Sequence, residues 1–293
     1  MGFLLGLFLV ICMLPLISAS ILSGHASFLS FNESFSTLYG DQNIRFNGAD
    51  VQISLTNSTG SGFKSRLFYG DAFFGASIKL PANNYTAGVV VTFYTTNSDI
   101  FNGNHDELDF EFLGHIQGEQ WVLQTNFYGN GSVQRSREER YNLWFDPTQD
   151  FHTYSIIWNK NWTVFYVDDV PLRQVHRVDA MGGDYPSKPM SLYATIWDGS
   201  DWATNGGKYK IDYRYAPFTA DYTDFVINGS GCFQQKIQSC MQGITGSVTN
   251  FTGLETYKMK QMKDFRRKFM FYSYCDDRRR YPTPLPECSE ANA

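Results

Sequence analysis

Between about residues 30 and 225 the chain is a succession of short runs rich in β-branched and aromatic residues, with no convincing helical period. Residues 87–95 (AGVVVTFYT), 121–128 (WVLQTNFY), 152–158 (HTYSIIW), 163–167 (TVFYV) and 190–197 (MSLYATIW) read as strands. Asn159-Lys160-Asn161 and Asp168-Asp169 supply hairpin turns on either side of the 163–167 run. Many short strands must bury their apolar faces against one another, so the expected fold is all-β, a two-sheet sandwich or jelly roll. An all-β unit of about 200–250 residues is an ordinary single domain. The 6 Trp, 18 Tyr and 25 Phe among 293 residues supply such a core. With 43% hydrophobic residues and a net charge of −5, the chain lacks the composition of a disordered protein. The same acidic balance disfavours a general nucleic-acid binder.

The two ends follow different rules. Residues 1–20 (MGFLLGLFLVICMLPLISAS) form an apolar run ending in small residues, with Ser18-Ala19-Ser20 the expected cleavage site of an export leader. The run is barely of bilayer length, is interrupted by Pro15 and lacks basic flanks, which weighs against a membrane anchor. An oxidising destination suits the cysteines. Beyond Cys12, the other four (Cys232, Cys240, Cys275, Cys288) lie in the last quarter of the chain. Short loops favour Cys232 with Cys240 and Cys275 with Cys288. No C-x-x-C spacing is present, so neither a metal nor another cofactor is expected. N-glycosylation sequons begin at Asn32, Asn57, Asn84, Asn130, Asn161, Asn228 and Asn250. Residues 255–269 (ETYKMKQMKDFRRKF) place Met259, Met262, Phe265 and Phe269 at helical spacing beside a basic face. A basic amphipathic helix can bind membranes or acidic polymers. Packing of the apolar stripe on the sandwich, with the basic face solvated, is the commoner arrangement and the one expected here. The resulting organisation is a leader at 1–20, a β-domain at 21–231 and a disulfide-tied helix/strand extension at 232–293.

One segment carries the chemistry. In His105-Asp106-Glu107-Leu108-Asp109-Phe110-Glu111-Phe112-Leu113 an extended backbone puts His105, Glu107, Asp109 and Glu111 on one face and Leu108, Phe110 and Phe112 on the other. Neighbours on the acidic face are about 6–7 Å apart along the strand. Carboxylates this close and partly desolvated cannot all ionise at their free pKa values, so at least one keeps a proton near neutral pH. That separates the two roles glycoside hydrolysis needs, a protonated acid for the leaving oxygen and an ionised carboxylate for the other step. Two other readings compete, a solvent-facing edge defended by charge and a site for a hard cation. The first leaves unexplained why every charge is negative, and the Gly and loop spacing of an EF-hand are missing. On a flat strand Glu107 and Glu111 would have Cα atoms about 13 Å apart. A retaining pair needs its carboxyl groups about 5–5.5 Å apart. The strand must curve, and spacing alone leaves retaining and inverting outcomes both open.

HDELDFEFLG at 105–114 resembles the signature of plant xyloglucan endotransglucosylase/hydrolases, members of glycoside hydrolase family 16. The resemblance runs from about Phe31 to Cys288. It takes in GVVVTFY at 88–94, QTN at 124–126, YNLWFDPT at 141–148, FYVD at 165–168 and WDGSDWAT at 197–204. In wording the chain is most similar to the group III-B branch, whose members are expected to act mainly as transglucosylases. The resemblance implies a concave, concanavalin-like β-jelly roll and a secreted enzyme of the apoplast and cell wall. It implies a retaining double displacement that cuts the β-1,4-glucan backbone of xyloglucan and rejoins it to a xyloglucan or oligosaccharide acceptor. By motif position Glu107 is the nucleophile, Asp109 the assisting carboxyl, and Glu111 the general acid and then base. Gln124, Thr125, Asn126, Ser136, Arg137, Glu138, Trp197, Asp201, Trp202, Gly206 and Arg280 fall where the family contacts xyloglucan. Relatives often carry a sequon just after the catalytic strand. LGHIQ at 113–117 has none, and Asn130-Gly131-Ser132 takes its place as the glycosylation candidate.

Sugar rings present apolar C–H faces, which aromatic side chains meet while polar groups line the rim. Trp197 and Trp202 bracket a polar loop that suits such a subsite, whereas Trp158 and Trp162 in the hairpin belong to the core. A mainly hydrolytic enzyme is one alternative. A non-catalytic lectin is another, because the same architecture binds glycans without cleaving them. Three clustered acids argue against the lectin. Neither nucleic acid nor a membrane anchor is expected, and nothing in the chain calls for more than a monomer.

Overall fold

Why the strands layer as they do is visible in the computed structural model, which describes residues 28–242, 248 and 250–289. The leader expected at 1–20 lies outside the described residues. The strands are β1 (Phe35–Tyr39), β2 (Ile44–Asn47), β3 (Asp50–Leu55), β4 (Ser61–Ser65), β5 (Phe68–Lys79), β6 (Val89–Thr96), β7 (Glu107–Leu113) and β8 (Val122–Tyr128). They continue as β9 (Glu139–Asn142), β10 (His152–Trp158), β11 (Trp162–Val167), β12 (Val170–His176), β13 (Ser191–Asp198), β14 (Phe218–Cys232) and β15 (Met270–Ser273). An eight-stranded sheet has the order β1-β4-β13-β6-β7-β8-β9-β15 and a seven-stranded sheet the order β12-β11-β10-β5-β14-β3-β2. The chain crosses repeatedly between the two layers, which gives the all-β sandwich expected from the sequence. The turns at 159–161 and 168–169 join β10 to β11 and β11 to β12, as their composition predicts.

Aromatic rings fill the space between the sheets. Phe110 stands edge-on to Tyr154 and Phe165 with centroids 5.8 and 5.2 Å away, and Phe112 stands edge-on to Tyr154 at 4.7 Å. Both are fully buried. Burying each contributes about 1.5–3 kcal/mol by transfer alone, so β7 is held firmly from behind. Its far end is held by a close approach. A Cβ on Gly114 would lie 2.0 Å from the Thr86 carbonyl oxygen, so no larger residue fits where β7 leaves the sheet. Trp158 is buried and donates to the Pro186 carbonyl at 3.1 Å, while Trp162 is half-buried and stacks on His176. Hairpin Trp158 is therefore core, and Trp162 sits at its margin.

The end of the chain packs on the sandwich. Helix α1 (Phe31–Ser34) precedes β1, α2 (Ile237–Gln242) follows β14, and α3 (Thr256–Phe269) occupies the amphipathic segment. Met262 and Phe265 are the buried residues of α3, and Phe265 packs against Tyr141 and Trp144 at 5.5 and 5.4 Å. The apolar stripe faces the sandwich, as its spacing predicts. β15 then pairs with β9 and adds a strand to the eight-stranded sheet. Cys232 bonds Cys240 and Cys275 bonds Cys288. Among the described residues no helix is long and apolar enough to cross a membrane.

Candidate active site

β7 lies between β6 and β8 in the interior of its sheet, so its acids are not a defended edge. Strand register sets Glu107 opposite Thr96 and Tyr128, Asp109 opposite Tyr94 and Asn126, and Glu111 opposite Thr92 and Gln124. Alternation buries Leu108, Phe110 and Phe112 and turns the three acids outward. Glu107, Asp109 and Glu111 line one cleft with Leu38, Tyr39, Thr92, Tyr94, Thr195 and Trp197. Among the described residues no group of three or more His, Cys, Asp and Glu is arranged to hold a metal ion.

The three acids sit in different surroundings. Tyr128 Oη donates to Glu107 Oε1 at 2.6 Å. Its single proton is engaged there, so at 2.9 Å it accepts from His105 Nε2, which must carry a hydrogen. Burial raises the Glu107 pKa, and the Tyr128 hydrogen bond and the His105 charge work against that rise. Burial also pushes the Tyr128 phenol far up, and the Glu107 charge adds to this, so it stays a donor. Glu111 accepts from Gln124 Nε2 at 2.5 Å. Burial, reinforced by the charges of Glu107 and Glu138, carries its pKa to about 7 against the Gln124 bond and the Arg140 charge. Asp109, between the other two, is pushed well above the carboxylate range by burial and then by both neighbours. Burial thus biases Asp109 toward its protonated form, Glu111 is poised to exchange a proton near neutral pH, and Glu107 has a hydrogen-bond donor and the nearby His105 favouring its ionised form. The roles separate as two-carboxylate chemistry requires.

The residues expected to contact substrate divide by strand parity. Gln124 and Asn126 share the acidic face with Tyr128, and Asn126 Oδ1 accepts from the Arg137 backbone at 2.7 Å. Thr125 is turned the other way and meets buried Arg173 at 3.3 Å. Arg137 is likewise internal. Its side chain is 0% exposed and pairs with Asp184 at 3.1 Å and with Glu287. These two side chains brace the sheet and do not reach the cleft, which departs from what the motif positions imply. Ser136, Glu138 and Arg280 come together: Arg280 Nη2 donates to Ser136 Oγ at 2.6 Å, and Arg280 Nη1 lies 3.2 Å from Glu138 Oε2. Trp197 lines the cleft, with Trp202 tilted against it at 6.1 Å. Asp201, fully exposed and 3.3 Å from Lys210, and Gly206, with φ +67°, lie on the loop after β13. Asn130 is exposed, and its Oδ1 accepts from Lys188 Nζ at 2.8 Å.

Sequence reasoning missed Tyr128, Tyr94 and Arg140. Period-two alternation carried on from Gln124 and Asn126 would have found Tyr128 and set Thr125 aside. The same rule carried on from Glu138 finds Arg140 and rejects Arg137. Tyr94 needed the cross-strand register, which no local pattern reveals.

Comparison with known proteins agrees with this geometry. Residues 31–215 match the model of Glycosyl hydrolases family 16, and residues 245–288 match that of the Xyloglucan endo-transglycosylase (XET) C-terminus. A probable xyloglucan endotransglucosylase/hydrolase protein 30 of Arabidopsis thaliana is 51% identical over 289 residues, covering 96% of this chain and 83% of the relative. Xyloglucan endotransglucosylase/hydrolase protein 2 of the same plant is 44% identical, covering 89% of each. Among solved structures, a Bacillus licheniformis beta-glucanase superposes with a TM-score of 0.55 at 24% identity, covering 70% of this chain and 98% of the other. A prokaryotic beta-1,3-1,4-glucanase (lichenase) from a mouse hindgut metagenome also gives 0.55 at 24% identity, covering 69% and 96%. At that identity the two glucanases establish the fold.

Proposed function

The chain belongs to glycosyl hydrolase family 16 and carries the C-terminal segment of the xyloglucan endotransglucosylase/hydrolases, and from that premise we propose that it remodels xyloglucan mainly by transfer. In this reading Glu107 attacks the anomeric carbon while Glu111 protonates the departing glycosidic oxygen, which leaves a covalent glycosyl-enzyme. Glu111, now ionised, takes a proton from the hydroxyl of an incoming sugar, and the β-glucan bond is rebuilt with retained configuration. Asp109, biased toward its protonated form by burial and by its two acidic neighbours, assists the nucleophile from between them.

The observation that carries the reading is three carboxyl groups on one cleft face in unequal surroundings, Glu107 bonded by Tyr128 and Glu111 by Gln124 with Asp109 between them. Xyloglucan as donor and acceptor is supported by the names of the relatives and by the match at 245–288. Transfer differs from hydrolysis in what attacks the intermediate, so a sugar acceptor must be held and aligned well enough to outcompete water. β15 adds a strand beyond β9, and Arg280 reaches Ser136 and Glu138, which together lengthen the floor beside Glu111. In this proposal 21–231 is the catalytic unit and 232–293 its extension, and the protein acts as a monomer exported to the apoplast. Trp197 and Trp202 form the sugar platform.

The pH profile of kcat/KM with xyloglucan tests the assignment of Glu111. Its protonated form is the active one, so activity should fall as pH rises through about 7. Glu111→Gln should remove that basic limb or nearly all activity, by about 10²- to 10⁴-fold. A variant with the parent's profile would contradict the acid/base role.

A further inference from the structure

One row of side chains crosses four strands. Glu111 faces Gln124, Gln124 faces Arg140, and Arg140 faces Tyr272. The first two steps are hydrogen-bonded. Arg140 Nε donates to Gln124 Oε1 at 2.7 Å, and Gln124 Nε2 donates to Glu111 Oε2 at 2.5 Å. Chemistry dictates this order. A guanidinium has donors only, so the amide atom facing Arg140 must be oxygen, and the amide nitrogen is then turned toward the carboxyl group. Arg140 is itself braced from the C-terminal extension. Its guanidinium carbon lies 5.3 Å from the Tyr272 ring centroid and its Nη2 lies 3.7 Å from Glu138 Oε2, on which Arg280 also closes.

We infer that Arg140 is a positioning residue for the acid/base step, holding the Gln124 amide in the one orientation that gives Glu111 a hydrogen-bond donor. The inference rests on the reading of Glu111 as the acid/base. Turned over, the amide would present Oε1 to Glu111, accept from its protonated form and stabilise that form instead. Arg140 forbids the flip, because its donors would then face an NH2 group. The charged and titratable groups around Glu111 are Glu107 and Asp109 on its own strand, Tyr94 on β6, and Glu138 and Arg140 beyond β8. Arg140 is the cation among them. Burial drives Glu111 toward its protonated form, and the Gln124 bond and the Arg140 charge are what restrain it. Part of the extension thereby reaches the reacting centre through Tyr272, Arg280 and Glu138.

The test is kcat/KM against pH for the full chain, with xyloglucan as donor and a xyloglucan oligosaccharide as acceptor. Arg140→Met removes both the restraint on the amide and the positive charge, so Glu111 should keep its proton to higher pH. The basic limb should move up by about 0.5–1 pH unit, with KM for the donor unchanged. Arg140→Lys, which retains a donor and a charge, should keep the limb close to its parent position. Gln124→Leu should move the limb in the same direction, and Arg140→Met added to it should move it little further, because the two act in series. An unmoved limb with a raised KM in Arg140→Met would make Arg140 a substrate contact and overturn the inference. Fully additive shifts would equally overturn it, since Arg140 would then act without Gln124. A limb that survives in Glu111→Gln sinks the acid/base reading and this inference together. A limb lost in Glu111→Gln yet unmoved in Arg140→Met sinks this inference alone.

Discussion

Replacing Glu107 with Ala should lower xyloglucan turnover by at least about 10³-fold while leaving polymer binding intact. The two effects separate because Glu107 is placed for reaction. It faces the cleft, accepts a hydrogen bond from Tyr128 and lies 3.9 Å from His105 Nε2. The surfaces proposed to hold the glucan, Trp197 and the side chains along Gln124, Glu138 and Arg280, are untouched by the change. Removing a partly desolvated acid from between two others also relieves repulsion, so the variant should remain folded. Affinity electrophoresis in a xyloglucan gel reads binding, and reducing-end release together with acceptor labelling reads turnover. Unchanged turnover would refute the assignment of Glu107 as the nucleophile.

Arg266→Ala should cost about 3 kcal/mol of stability, the largest expected loss from one polar substitution in the extension. Arg266 comes from α3 and grips Glu139 of β9 with both arms, at 2.6 and 2.9 Å. Glu139 is 2% exposed, so its carboxylate exists in the ionised form only because of its partners. Burial alone would raise its pKa, but the charges of Arg266 and Arg173, with the Tyr141 hydroxyl, override this and bring it down to about 2. Arg173, 3.5 Å away, remains in the variant and limits the damage. The thermal midpoint should fall by about 6–12 °C. A group with a depressed pKa contributes stability above its unfolded value, near about 4.3, and loses it as pH falls through the folded value. The gap between parent and variant should therefore narrow as pH drops from about 4 toward 2. A gap independent of pH across that range would show that the loss is one of packing and not of charge.

The fold was legible wherever the residue pattern was local. β10, β11 and β13 stand where β-branched and aromatic runs placed them, and the turns at 159–161 and 168–169 were readable from Asn and Asp. α3 followed from the spacing of Met262 and Phe265. β5 and β14 did not show themselves. β5 is buried along nearly its whole length, so it has no alternation to read, and Gly70, Asp71 and Gly75 interrupt its β-formers. β14 carries register shifts against β5 that break its period.

The site divides in the same way. The acids of β7 announced themselves because a strand with a core on one side sorts its residues by parity. Thr125 and Arg137 were misplaced for the same reason, since motif positions ignore parity. Arg137 and Arg173 belong to a buried ionic layer whose members come from β12, the segment before β9 and residues near 287. Contacts that span such separations have no local signature.

The central claim is that the glycosyl-enzyme is resolved by a sugar and not by water. A fluorescent xyloglucan oligosaccharide supplied as acceptor with unlabelled polymer as donor measures this directly, when label in high-molecular-mass product is followed alongside newly released reducing ends. Transfer predicts label entering polymer with few new reducing ends. Rapid release of reducing ends with no labelled polymer would contradict it and make the protein a hydrolase.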